Sequence, residues 1–245
     1  MGNRDDYEKK LDILTAIGDD EIKTPHHIPV RVYIQEAGTL YHQALKDKEA
    51  LISVGVPWEL VEDLPIRIAA LIEAESDWYV QNETRKETAT GWAEASPLAY
   101  DLKKQLLDTF YYAFRNRPDL LKTLKATKKG RGHADMIQAL NDLSVLGKKN
   151  VELLEAVRFD MTLLDKAAQT TEAMSGLLAD THAYVRTIKE AKKIRDQAYT
   201  HLKEAVDSIR SGGQFVFRKD KDHVRGYRSE YLRSKNLKRR REVTD

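Results

Sequence analysis

The chain of 245 residues has no cysteine. That excludes disulfides, thiolate metal sites and thiol nucleophiles, and it fits a reducing compartment. Proline is scarce, with six in all and none after Pro118, so the second half lacks the residue that most reliably breaks a helix. Glycine is also sparse, at twelve. No apolar run approaches the ~20 residues of a membrane span. Met1-Gly2-Asn3-Arg4-Asp5-Asp6 has no apolar core such as a secretory leader carries. Gly2 stands where an N-myristoyl group would go, but Asp6 occupies the place where that motif requires Ser or Thr. A cytoplasmic protein with no membrane insertion is the expectation.

The motifs of the common enzyme classes are missing as well. A di-metal carboxylate bundle needs Glu-x-x-His on two core helices, and none occurs. His201-Leu202-Lys203-Glu204 has the reverse order and polar neighbours, so it reads as a solvated histidine. His26-His27 lies in a proline-bounded loop with no evident third ligand. There is no Gly-x-Ser-x-Gly elbow, no phosphate-binding Gly-x-x-x-x-Gly-Lys-Ser/Thr loop and no Gly-x-Gly-x-x-Gly turn. Glu73, Glu75 and Asp77 form an acidic run beside Trp78 and Tyr79, which reads as an exposed helix face. No cofactor and no metal are expected.

What the chain has in abundance is charge, 33% against 41% hydrophobic residues, a profile of soluble helix-rich proteins. Its dominant pattern lies between Lys148 and Ser211. Val157, Met161, Leu164, Ala168, Thr171, Met174, Leu178, Thr181, Val185, Ile188, Ile194, Ala198, Leu202 and Ile209 recur mostly at steps of three or four, with Gly176 the only glycine. Such spacing keeps one stripe on one side of a helix, which other helices must cover. Asp160 offers a cap that interrupts this stretch, and Asp180-Thr181-His182 marks a second break. Gly212-Gly213 weakens the helix near its end, by ~1 kcal/mol per glycine.

The first half is punctuated more often. Asp5 to Ile17 forms a short amphipathic helix. Val30, Val32 and Ile34 alternate like a strand, but helical spacing continues from Ala37 to Ile52, so one helix is expected from Pro29 to Val54. Gly55 stops it and Pro57 opens the next. Pro65 bends that helix, which ends before Gly91, and Ser96-Pro97 starts another that stops before Pro118. Asp119 to Thr127, His133 to Leu146, Val151 to Val157 and Lys221 to Ser234 complete the helices. Of Tyr111 and Tyr112, adjacent on a helix, one belongs at a rim. The fold class expected is all-α: an elongated antiparallel, up-and-down helical bundle of long amphipathic helices with a few short ones. Residues 1–28 form a short helix and connector, 29–217 the bundle, and 218–245 a basic C-terminal helix or tail.

Net charge is +2, which conceals an asymmetry. Residues 115–131 carry seven Lys/Arg against Asp119 alone, and residues 218–245 carry eleven against five. Each region is therefore +6, leaving −10 on the remainder. In the first region Arg115, Arg117, Lys125, Lys128, Lys129 and Arg131 surround Gly130 and Gly132, just before a helix N-terminus that favours anions. In the second, Arg225, Arg228, Arg233, Lys238, Arg239, Arg240 and Arg241 are interleaved with Tyr227 and Tyr231, a mixture suited to phosphates and stacked bases. It also suits an acidic protein face.

The reading that follows is a non-enzymatic, structural protein of coiled-coil-like helices. It works through its surfaces as an assembly or scaffold subunit, with a protein partner or itself. The alternative is sequence-independent nucleic-acid binding through both basic regions. A third class is an enzyme with an unfamiliar helical site.

Overall fold

A computed structural model describes residues 2–127, 130 and 132–242, with side chains as far as Arg239. Its elements are α1 (Asn3–Ala16), α2 (Val30–Lys46), α3 (Lys48–Ser53), α4 (Trp58–Ala113), α5 (Pro118–Thr127), α6 (His133–Lys148), α7 (Val151–Glu155), α8 (Thr162–Val216), a 3-10 turn (His223–Tyr227) and α9 (Glu230–Glu242). The protein is an all-α helical bundle, with no strand among the described residues.

The helix α8 is 55 residues long, as the proline-free stripe predicts. It begins where Asp160 Oδ1 accepts the Thr162 amide at 3.0 Å, after Arg158 turns the chain with a left-handed φ of 56°. The expected break at Asp180-Thr181-His182 does not occur, and the helix also runs through Gly212-Gly213. Those glycines are seats for packing. A Cβ on Gly213 would fall inside the Tyr227 ring, and one on Gly212 would strike Val56.

Elsewhere the structure departs from the sequence pattern. The helix from Pro29 to Val54 is two, α2 and α3, split at Asp47. Pro65 lies within a continuous helix, and the stop before Gly91 and the new start at Ser96-Pro97 are absent: α4 is one helix of 56 residues. Each proline removes one helical N–H and costs on the order of 3 kcal/mol. Buried Val61, Leu64, Ala70 and Leu71 hold the helix around the first, and Ala99, Leu102 and Leu106 beyond the second. The expected helix from Lys221 to Ser234 is instead the 3-10 turn followed by α9. Asp220 Oδ1 takes the amides of Asp222 and His223 at 3.1 and 3.0 Å and starts the turn.

The chain forms two compact units, Met1–Gln81 with Ile188–Asp245, and Asn82–Thr187. The first is built on Leu14, Tyr33, Leu40, Leu51, Leu64, Leu71, Leu202, Ile209 and Tyr227. The second is built on Leu106, Phe110, Phe114, Leu124, Met136, Leu140, Leu154 and Leu164. The apolar stripe of α8 is buried in each unit, at Leu164 and Met174 and again at Ala198, Leu202 and Ile209. Val185, between them, is exposed. Tyr112 is the exposed member of the tyrosine pair.

Candidate interaction surfaces

The C-terminal basic segment is tied to its own unit by two carboxylates. Asp47, in the break between α2 and α3, accepts Tyr227 Oη–H at 2.6 Å, His223 Nε2 at 2.9 Å and Gln43 Nε2 at 2.7 Å on one oxygen, Oδ2. Burial pushes the Asp47 carboxyl up, but these hydrogen bonds outweigh it and hold the carboxyl below the ordinary range. Burial, then the same carboxylate, pushes the Tyr227 hydroxyl up. The Tyr227 ring is fully buried on Gly213 and stacks with Phe217 at 5.7 Å.

Glu36, on α2, fixes the start of α9. Its Oε1 accepts the Ser229 hydroxyl at 3.0 Å and the Tyr231 amide at 2.9 Å, and its Oε2 pairs with Arg210 Nη2 at 2.8 Å. Ser229 Oγ in turn accepts the Leu232 amide at 3.2 Å. A hydroxyl and a carboxylate thus satisfy amides that a helix N-terminus leaves free, on the side where its dipole favours negative charge. From Ser234 to Arg239 every described side chain is exposed. The result is a basic helix held by its first turn and open to water beyond it.

Of the residues singled out by sequence in this tail, Arg233 pairs with Glu230, and Arg225 reaches Asp222 at 3.5 Å. Arg228, Lys238 and Arg239 are exposed. The side chains of Arg240 and Arg241 lie outside the described residues. Arg210, Arg228 and Arg233 line an open cleft of about 450 Å³ with Gln214, Asn236 and Leu237. Arg210 Nε is buried there with no hydrogen-bond partner.

The other basic region belongs to the second unit. Arg117 is bidentate with Asp119 at 3.0 and 2.7 Å, Arg115 bonds the Tyr112 carbonyl at 2.8 Å, and Lys125 is exposed. Lys128, Lys129 and Arg131 lie outside the described residues. At the start of α6 the Gly132 amide is already bonded to Asp135 Oδ2 at 2.9 Å, so an anion approaching there first meets a carboxylate.

Two ionic networks in the first unit were not legible in the sequence. His201 is not solvated but 7% exposed. Its carbonyl accepts Arg67 Nη1 at 2.6 Å, and its Nε2 has no partner. Burial first, then Arg67 and Lys10, lowers its pKa to about 4. A base that weak is poorly matched to proton transfer near neutral pH. Asp63 joins Lys10 at 2.6 Å to Arg67 at 2.8 Å. Nearby, buried Arg195 bonds Asp196 at 2.6 Å and lies over the Trp78 ring at 4.3 Å. Glu75 stands 3.9 Å from Arg195, its pKa raised by burial, while exposed Arg4 reaches Glu73 and Asp77 at 3.4 and 3.3 Å. The acidic run is therefore only partly a solvated face. Among the described residues no three His, Asp or Glu side chains converge to hold a metal, and no helix is long and apolar enough to cross a membrane.

Set against protein-family models, curated proteins and solved structures, the chain finds no match.

Proposed function

We propose that this is a non-enzymatic interaction and assembly protein whose basic α9 docks on an acidic protein surface. One observation carries this reading: the helix is locked at Ser229 to Tyr231 by Glu36, while its basic remainder faces water. A preformed helix loses less entropy on docking than a loose tail. The same chain offers a complementary surface. Residues 5–21 carry seven acidic residues against Lys9 and Lys10, a net of −5. Both lysines are already paired with carboxylates, Asp6 and Asp63, and Asp5, Glu8, Asp12, Asp19, Asp20 and Glu21 are exposed. Seating α9 of one copy on this segment of the next is a heterologous, head-to-tail contact.

Light scattering tests it. The mass of the full chain falls toward the monomer as salt rises from ~0.05 to ~0.5 M, because the screening length drops from ~14 to ~4 Å. Deleting Ser234 to Asp245 gives the low mass at every salt concentration. A mass indifferent to both changes contradicts the reading.

A second reading, sequence-independent binding of a nucleic-acid backbone, is favoured by the arginine cleft. Arg228 is exposed on it and makes no ion pair among the described residues. Phosphate oxygens would supply that partner. Fluorescence anisotropy with a labelled duplex decides it: affinity falls steeply with salt and drops on Arg228→Glu if this reading holds. Absence of binding at low salt removes it.

A further inference from the structure

The second unit has an open apolar groove of about 450 Å³ between α4 and α8. Buried Ala99, Leu102 and Met174 form its floor. At its edge Leu98, the residue after Pro97, is 71% exposed. It is the most exposed large hydrophobic side chain among the described residues. Lys166 and Asp101 also line the groove, one from each helix, and neither makes an ion pair among the described residues.

We propose that this groove seats a second copy of the chain in an isologous contact. In it Leu98 of each copy enters the groove of the other, and Asp101 of each meets Lys166 of the other. A contact about a two-fold axis must be made by one patch that is complementary to itself. This patch contains both halves of each requirement: a protruding leucine and an apolar hollow, an unpaired anion and an unpaired cation. A foreign acidic or basic partner would leave one of those two charges facing its like. Ala173 and Thr170 on the α8 wall are small enough to let another helix come close. Eleven residues line the groove, against ~20–30 per side in an interface of standard size. The dimer is accordingly weak and concentration-dependent.

The contact is independent of α9, and salt separates the two. Sedimentation of the full chain at ~0.5 M salt, with the screening length near 4 Å, still shows a monomer–dimer equilibrium. Leu98→Asp weakens it ~100-fold, because each dimer buries two copies of the change. The exposed position leaves the fold intact, as circular dichroism checks. Near physiological salt, Asp101→Lys and Lys166→Asp each weaken self-association ~10-fold, since each replaces two attractions with two repulsions. Mixing the two variants restores the dimer as a heterodimer, in which both contacts again join opposite charges. A chain that stays monomeric at high salt up to ~100-fold the protein concentration of a routine ~1 µM assay overturns the proposal, leaving the groove to a foreign helix. So does a dimer unaffected by Leu98→Asp, or a mixture that associates no better than either variant alone.

Discussion

His201 shows how much a single buried ring contributes to acid sensitivity. Its folded pKa is about 4, against ~6.5 in an unfolded chain. As the pH falls from 6.5 toward 4, the unfolded chain takes up a proton that the folded one refuses. Stability is thus intact above pH 6.5 and declines by ~3 kcal/mol by the time pH 4 is reached. Glu75, raised by burial, acts in the opposite direction, because its folded form is protonated first. Comparison with His201→Gln cancels that contribution: urea denaturation should show a steeper loss between pH 6.5 and 4 in the native chain than in the variant. Equal slopes contradict the account. Gly213 supplies a second residue-scale prediction. Alanine is the better helix former by ~1 kcal/mol, but its methyl group would occupy the space of the Tyr227 ring. Overpacking of this kind costs ~1–3 kcal/mol. Gly213→Ala should therefore lower the denaturation midpoint, whereas Gly176→Ala, with nothing within 4 Å, should raise it.

Among the elements, α8 was legible because it has no proline, one internal glycine before its end and a stripe at steps of three and four, which outweigh the breaking signals at Asp180-Thr181-His182 and Gly212-Gly213. The helix α4 was not, because Pro65 reads as a bend, Gly91 as a stop and Ser96-Pro97 as a fresh start. Their local cost is overridden by burial along the helix, which no window of sequence contains. Similarly, Asp47 and Glu36 look like ordinary polar residues between apolar positions. Their importance comes from Tyr227, His223, Ser229 and Tyr231, 176 to 195 positions away. The basic composition of α9 was plain in the sequence, but the lock that presents it was not. Glu36→Ala removes three hydrogen bonds to a carboxylate, two of them at the start of α9. The loss of ~2–4 kcal/mol should appear as faster amide exchange in residues 229–233 and weaker low-salt association. Unchanged exchange there would remove Glu36 from the role assigned to it.

For the molecule as a whole, composition indicated a helix-rich protein with its charge divided between regions, the helical spacing extended this to an all-α bundle, and the structure is all-α. The partition into two units was hidden because its boundaries, at Gln81 and Thr187, fall inside α4 and α8 without any change in composition. Among the described residues, the first unit presents a basic helix to water and the second an open apolar groove. Two contacts of opposite physical character would make assembly responsive to conditions. Salt weakens the first and spares the apolar part of the second.

The claim at the centre of this account is that α9 is fixed at its start and becomes covered beyond it only when the protein associates. Hydrogen exchange, followed by mass spectrometry at low and high salt, measures that directly. Residues 220–232 should be protected equally in both conditions, while residues 234–242 gain protection only at low salt, together with the acidic segment 5–21. Rapid exchange throughout 234–242 at every salt concentration, in a sample that has nevertheless associated, would contradict it.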